Sequence, residues 1–199
     1  MCGDVRCHWA TWFRAHYDHD KAKRDPTWLQ NWGSDHTRLV DSRANELEED
    51  GYTIYLEGQN RFSLTGSTGV TIAGCPDIVA VRDGAALVID CKTGKSKTAD
   101  EYQVLTYMLC LPHVAKPYSR LPLSGLLQYN YHSLEIASTR VDERLRSHFR
   151  EVMQIAGGTE PPAKRPSGSE CRFWDITALD CPERDDSYNA PPVRTDALF

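Results

Sequence analysis

The run Ala85-Ala86-Leu87-Val88-Ile89 is apolar at every position, without the alternation that lets one strand face meet water. A strand of that kind is buried on both faces, so it has to lie inside a sheet that is covered on each side. Ahead of it, Val70 to Val81 is apolar and β-branched, interrupted at Gly74-Cys75-Pro76, and Arg82-Asp83-Gly84 supplies a tight turn. The two segments read as a β-hairpin at the centre of the fold.

The surrounding elements follow from periodicity. Trp9, Trp12, Phe13 and Tyr17 recur at helical spacing and predict an amphipathic helix over Asp4 to Asp20, its aromatic face packed inward. Lys21 to Asp25, closed by Pro26, reads as a loop. A second helix is expected from Ser34, as N-cap with Asp35 in the first turn, to Asp50, with Gly51 as its stop. His36, Val40, Arg43, Ala44 and Leu47 share one face of it, which turns His36 inward. After Gly51 the period changes to two, with Tyr52, Ile54 and Leu56 followed by Phe62 and Leu64. Thr98 to Leu111 reads as a helix stopped by Pro112, and Leu126 to Tyr131 and Leu134 to Ile136 as strands. A last helix, Asp142 to Ile155, carries Leu145, Phe149, Val152 and Met153 as its apolar stripe and ends at Gly157-Gly158.

This order predicts an α/β fold with a mixed central β-sheet flanked by helices. With 199 residues and 40% hydrophobic content, one domain over 1–199 is expected. Its core spans about 34–156, a chain-end cysteine junction joins 1–20 to 165–185, and a polar, flexible tail covers about 185–199. Arg6, His8, Arg14, His16, Asp18 and Asp20 interrupt the first thirty residues, so neither a signal peptide nor a membrane span fits there, and a cytoplasmic protein is expected. A net charge of -5 excludes a protein that holds nucleic acid by bulk electrostatics. Any such contact has to be local.

Chemistry concentrates in Pro76-Asp77 and Asp90-Cys91-Lys92. Asp77 begins one hairpin strand and Asp90 ends its partner, so antiparallel pairing brings the two carboxylates together. Close carboxylates repel unless a cation lies between them, and oxygen ligands suit Mg2+ or Mn2+. Lys92 emerges on the same face as Asp90, where an ammonium group can orient an attacking water and stabilise charge on a phosphate. Acid, acid and lysine together describe metal-assisted phosphodiester hydrolysis. Gln103 and Tyr107, one turn apart on the following helix, share a face that can reach the end of the Asp90 strand. Lys92, Lys95 and Lys97 form a short basic run suited to a phosphate backbone.

Pro76-Asp77, Asp90-x-Lys92 and Gln103-x-x-x-Tyr107, with His36 upstream, Gly74 before the first pair and Thr93-Gly94-Lys95 after the lysine, resemble the PD-(D/E)XK nuclease superfamily. The similarity is greatest to its RecB-like group, which includes the CRISPR-adaptation exonucleases. The resemblance implies a restriction-endonuclease-like core and a metal-dependent DNA exonuclease acting on single-stranded or free ends in repair, recombination or CRISPR adaptation. It implies His36, Asp77, Asp90 and the Cys91 carbonyl as metal ligands, Lys92 as the catalytic lysine, and Gln103 and Tyr107 as active-site supports. Glu57 is a further, weaker acidic candidate. The alternative is a non-catalytic nuclease-fold adaptor that binds DNA and protein partners in a larger complex.

Members of that group also carry one cysteine near the N-terminus and three near the C-terminus, which ligate a 4Fe-4S cluster. Cys7, Cys171 and Cys181 fit that arrangement, and Trp174 stands where another cysteine is expected. A cluster normally takes four thiolates. The alternatives stay open: a cluster completed by Cys2 or His8, a labile cluster, a zinc site, or a junction without metal. Cys75, Cys91 and Cys110, inside apolar stretches, read as small buried hydrophobes.

Overall fold

The computed structural model describes residues 7–19, 26–172 and 174–187, and for 26–29, 31 and 32 the backbone alone. The expected loop at Lys21 to Asp25, Cys2 and most of the expected flexible tail lie outside the described residues. The described residues fall into two compact units, 7–19 with 155–172 and 174–187, and 26–154.

The larger unit holds a five-stranded mixed sheet. Its strands are β1 (Thr53–Leu56), β4 (Ile78–Arg82), β5 (Ala85–Lys92), β6 (Leu123–Tyr129) and β7 (Ser133–Ile136), in spatial order β1-β4-β5-β6-β7. The β4–β5 pair is the hairpin expected from sequence, antiparallel in the register Ile78↔Ile89 to Arg82↔Ala85. Asp83 and Gly84 close it with φ values of 52° and 75°. Two successive left-handed residues match the right-handed twist of the strands they join. β5 is the central strand, and it pairs in parallel with β6 from Ala86↔Leu123 to Lys92↔Tyr129. A parallel neighbour needs a crossover, supplied by α4 (Thr98–Cys110) and a short 3-10 turn, Leu111–His113, that contains Pro112. A separate antiparallel hairpin pairs β2 (Phe62–Thr65) with β3 (Thr71–Gly74).

Both sheet faces are covered, as the unbroken apolar run of β5 requires. On one face, Val40, Ala44 and Leu47 of α2 (Pro26–Glu49) pack on Ile78, Ala80, Ile89, Cys91 and Leu126. On the other, Val104, Leu105 and Met108 of α4 meet Val79, Val88, Leu127 and Tyr129, joined by Leu145 of α5 (Glu143–Ala156). The α/β expectation holds, with a mixed sheet between helices.

Several boundaries differ from the sequence reading. α2 begins at Pro26 rather than at Ser34. Pro26 occupies the first helical position, where its missing N–H costs nothing, and the Ser34 hydroxyl donates back to the Gln30 carbonyl at 3.2 Å instead of capping. The first helix is shorter than expected, α1 (His8–His16). Glu57–Asn60 forms a helical turn, α3, between β1 and β2. β6 starts at Leu123 and stops at Tyr129, so Tyr131 lies in a turn rather than a strand.

Gly125 on β6 lets α4 approach the sheet. A Cβ there would lie 2.6 Å from Val104 Cγ1 and 2.9 Å from Met108 Sδ. Overpacking of this kind costs roughly 1–3 kcal/mol. Gly125→Ala is therefore expected to lower the unfolding free energy by that amount, read as a lower urea midpoint at unchanged slope; a wild-type midpoint would show that α4 is not pressed against β6.

Candidate active site

The candidate residues collect at one edge of the sheet because three neighbouring strands end or begin there. Glu57 follows β1, Asp77 immediately precedes β4, and Asp90 and Lys92 close β5. Extending the hairpin register one step beyond Ile78↔Ile89 sets Asp77 opposite Asp90. Asp90 is 1% exposed and Asp77 9%, burial that carboxylates tolerate only with partners.

Asp77 Oδ2 accepts a hydrogen bond from the Cys91 N–H at 2.6 Å and lies 3.3 Å from His36 Nε2. The inward turn of His36 on α2 thus ends at Asp77. Hydrogen bonding to Asp77 carries the His36 ring above its ordinary pKa, against the opposing effect of burial. His36, Asp77 and Glu57 bring donor atoms within 4.8 Å of one another, an arrangement able to hold a metal ion. Glu57, the weakest acidic candidate in the sequence, is a full member of this trio. Cys91 contributes its N–H here, and burial keeps its thiol protonated by raising its pKa.

Asp90 faces Lys92, with Oδ2 at 2.5 Å from Nζ. That oxygen is fully buried and meets no well-directed hydrogen-bond donor among the described residues. Burial pushes the Asp90 carboxyl up to about 6, the charge of Lys92 opposing the rise and that of Asp77 adding to it. Burial also works against the Lys92 ammonium, but the negative charge of Asp90 outweighs it and holds Lys92 above its ordinary value. Three carboxylates against one ammonium leave the cluster net negative, and a poorly satisfied carboxylate oxygen sits among them. The donor set fits a hard divalent cation.

The lysine is held from the other side. Lys92 Nζ donates to Gln103 Oε1 at 3.0 Å, and Gln103 Nε2 donates to the Tyr107 hydroxyl at 2.7 Å. The one-turn spacing on α4 does what the sequence predicted, placing both side chains at the strand end. Gly74 admits Tyr107: a Cβ there would stand 2.8 Å from Tyr107 Cε1 and 2.5 Å from Phe62 Cζ.

Asn60 escaped the sequence reading. It is fully buried, its amide donates to the carbonyls of Tyr55 at 2.8 Å and Pro76 at 3.1 Å, and its Oδ1 accepts from the Tyr118 hydroxyl at 2.9 Å. Asn60 thereby ties the end of β1 to the residue preceding Asp77. The only sequence signal was a polar residue two positions after Gly58, which also suits an ordinary turn.

In the smaller unit Cys7, Cys171 and Cys181 are buried free thiols. Cys7 and Cys181 share an apolar cluster with Trp9, Trp12, Phe13 and Ile176, against which Trp174 packs. Burial raises the Cys181 thiol, and Cys171 and Cys7 are near enough to add to the rise. Among the described residues the three do not bring their sulfurs within 4.8 Å of one another.

The larger unit's site yields a pH-dependent expectation. An acid whose folded pKa is raised binds more protons in the native state, so above about 6 the ionised Asp90 opposes folding until a cation compensates it. Protonated His36 and Asp90 compete with a cation at lower pH. Saturating Mn2+ is therefore expected to raise the thermal midpoint by roughly 5–10 °C at pH 8, the gain fading as pH falls through about 6. An equal gain at pH 5 would place the cation elsewhere.

The sequence from residue 5 to residue 176 matches the family model of the PD-(D/E)XK nuclease superfamily. No curated protein matches it. Among solved structures, one described as "Crystal structure of SSO0001" is similar at 15% identity and a TM-score of 0.49, covering 81% of this chain and 73% of that one. Because the family match runs through most of its length, the chain belongs to the PD-(D/E)XK nuclease superfamily.

Proposed function

We propose that this chain is a metal-dependent DNA nuclease that hydrolyses phosphodiester bonds, acting as an exonuclease on single-stranded ends. The observation that carries the reading is the continuous contact series Asp90–Lys92–Gln103–Tyr107 beside the His36, Glu57 and Asp77 trio. His36, Asp77 and Asp90, with Glu57 and the Cys91 carbonyl, would hold Mg2+ or Mn2+, which supplies Lewis-acid polarisation of the phosphodiester. Lys92 stays protonated, so its ammonium orients the attacking water and stabilises charge on the phosphate oxygens. Gln103 fixes the lysine through its carbonyl oxygen, and Tyr107 fixes Gln103; both are positioning residues. Among the described residues no helix is long and apolar enough to cross a membrane. A cytoplasmic role in processing DNA ends, during repair, recombination or acquisition of foreign DNA, fits this chemistry.

The test is hydrolysis of end-labelled single- and double-stranded DNA with Mg2+ or Mn2+. Asp90→Ala and Lys92→Ala are expected to lower kcat at least about 100-fold, and Gln103→Ala about tenfold. Variants as active as the parent would overturn the assignment.

For the cysteine junction we propose a structural 4Fe-4S cluster on Cys7, Cys171 and Cys181, with Cys2 as the candidate fourth ligand. Chemistry at Asp90 and Lys92 does not pass through it. Anaerobically purified protein is expected to absorb broadly in the visible and to bleach with oxidant. A colourless preparation without iron by elemental analysis overturns the cluster, and zinc in its place supports the zinc reading.

A further inference from the structure

The sheet edge that gathers the acids and the lysine continues past Lys92 to the turn between β6 and β7. Lys92 pairs in register with Tyr129, the last residue of β6. Two residues on, Tyr131 is 97% exposed. Isolated exposed aromatics are ordinary on protein surfaces, but this one stands on an anchored support. The Tyr129 N–H donates to the His132 carbonyl at 2.9 Å, closing the turn, and the His132 ring stacks on that of Tyr129 at 4.5 Å and 11°. Tyr129 is itself buried, and its hydroxyl donates to Asp100 Oδ2 at 3.0 Å, on the first turn of the helix that carries Gln103 and Tyr107. Ser96 and the Lys97 backbone lie close enough to the Tyr129 hydroxyl to influence it, so the loop with exposed Lys95 and Lys97 lies against the base of the same turn.

We propose that Tyr131 is a stacking platform for an unpaired base of a DNA strand entering the site, with Lys95 and Lys97 alongside its phosphates. This rests on the nuclease reading and names how the substrate is held. A DNA strand offers what the surface can use: flat apolar faces for a ring held out in solvent, and anionic groups for two exposed ammonium groups. Neighbouring strands lie about 4.8 Å apart and residues rise about 3.3 Å along a strand, so the Tyr131 turn, two strands across and four residues beyond the level of Asp77, stands roughly 12–16 Å from it. A base two or three nucleotides from the reacting phosphodiester, rather than the one at it, is the partner. Paired bases stacked within a duplex present no free face to Tyr131, which favours single-stranded ends.

The full chain is titrated, in calcium without magnesium or manganese, into a fluorescently labelled single-stranded oligonucleotide and into the same strand with abasic positions along its length. Binding is read by anisotropy, and hydrolysis is then assayed with Mn2+. Tyr131→Ala is expected to weaken binding of the base-bearing strand about tenfold. Tyr131→Phe is expected to bind as the parent does, and the abasic strand to bind equally to all three proteins. Tyr131→Ala binding like the parent, or losing as much on the abasic strand, overturns the stacking role. If the parent cleaves DNA but Tyr131→Ala binds unchanged, this inference alone fails. If binding depends on Tyr131 but nothing is cleaved, the nuclease reading alone fails; a parent that binds no DNA removes both.

Discussion

The buried ion pair between Asp90 and Lys92 is the constraint around which the rest of the larger unit is arranged. A carboxylate 1% exposed at the end of a central strand is costly without a counter-charge. Lys92 supplies that charge from two residues along the same strand. The pair is only partly self-sufficient, because Asp77 adds negative charge to it and raises the energy of keeping Asp90 ionised. Gln103 and Tyr107 hold the lysine, α4 holds them, and Gly125 and Gly74 allow α4 to sit close enough to do so. The close packing of helix on sheet is thus part of the site as much as part of the core.

The fold was legible where local pattern and burial agree. The unbroken apolar run 85–89 required cover on both faces, and Asp83-Gly84 marked the hairpin turn by its need for left-handed backbone. The i, i+4 spacing of Gln103 and Tyr107, and the helical phase of His36, were readable because a helix fixes the direction of side chains in advance. Helix ends were less legible. Ser34 has the chemistry of an N-cap, yet its hydroxyl serves equally well bonding to a carbonyl four residues back, and only Pro26 marks the actual start.

Glu57, a weak candidate in the sequence, and Asn60, which gave no signal of its own, show why the rest of the site was less legible. Both lie on a four-residue helical turn where periodicity predicts nothing, and their importance comes from non-local neighbours: Asp77 and His36 for one, Pro76 and Tyr118 for the other. A buried amide with its donors and acceptor engaged cannot be told from a turn asparagine until its partners are known. The cysteines present the opposite case. Cys7, Cys171 and Cys181 are buried in the smaller unit, and Trp174 packs on its apolar cluster at the position where a further thiol was expected.

The left-handed turn at Asp83-Gly84 caps the strands at the end remote from the acids. With β4 running from Ile78 to Arg82, about five residues or roughly 17 Å of strand separate the turn from the edge that carries Asp77. Its residues are exposed, and the register is already set by the strands on either side. The sheet therefore has one rim that carries the candidate site and one that does not, and the second is where a reporter, an affinity handle or a new binding loop can be grafted away from the acids.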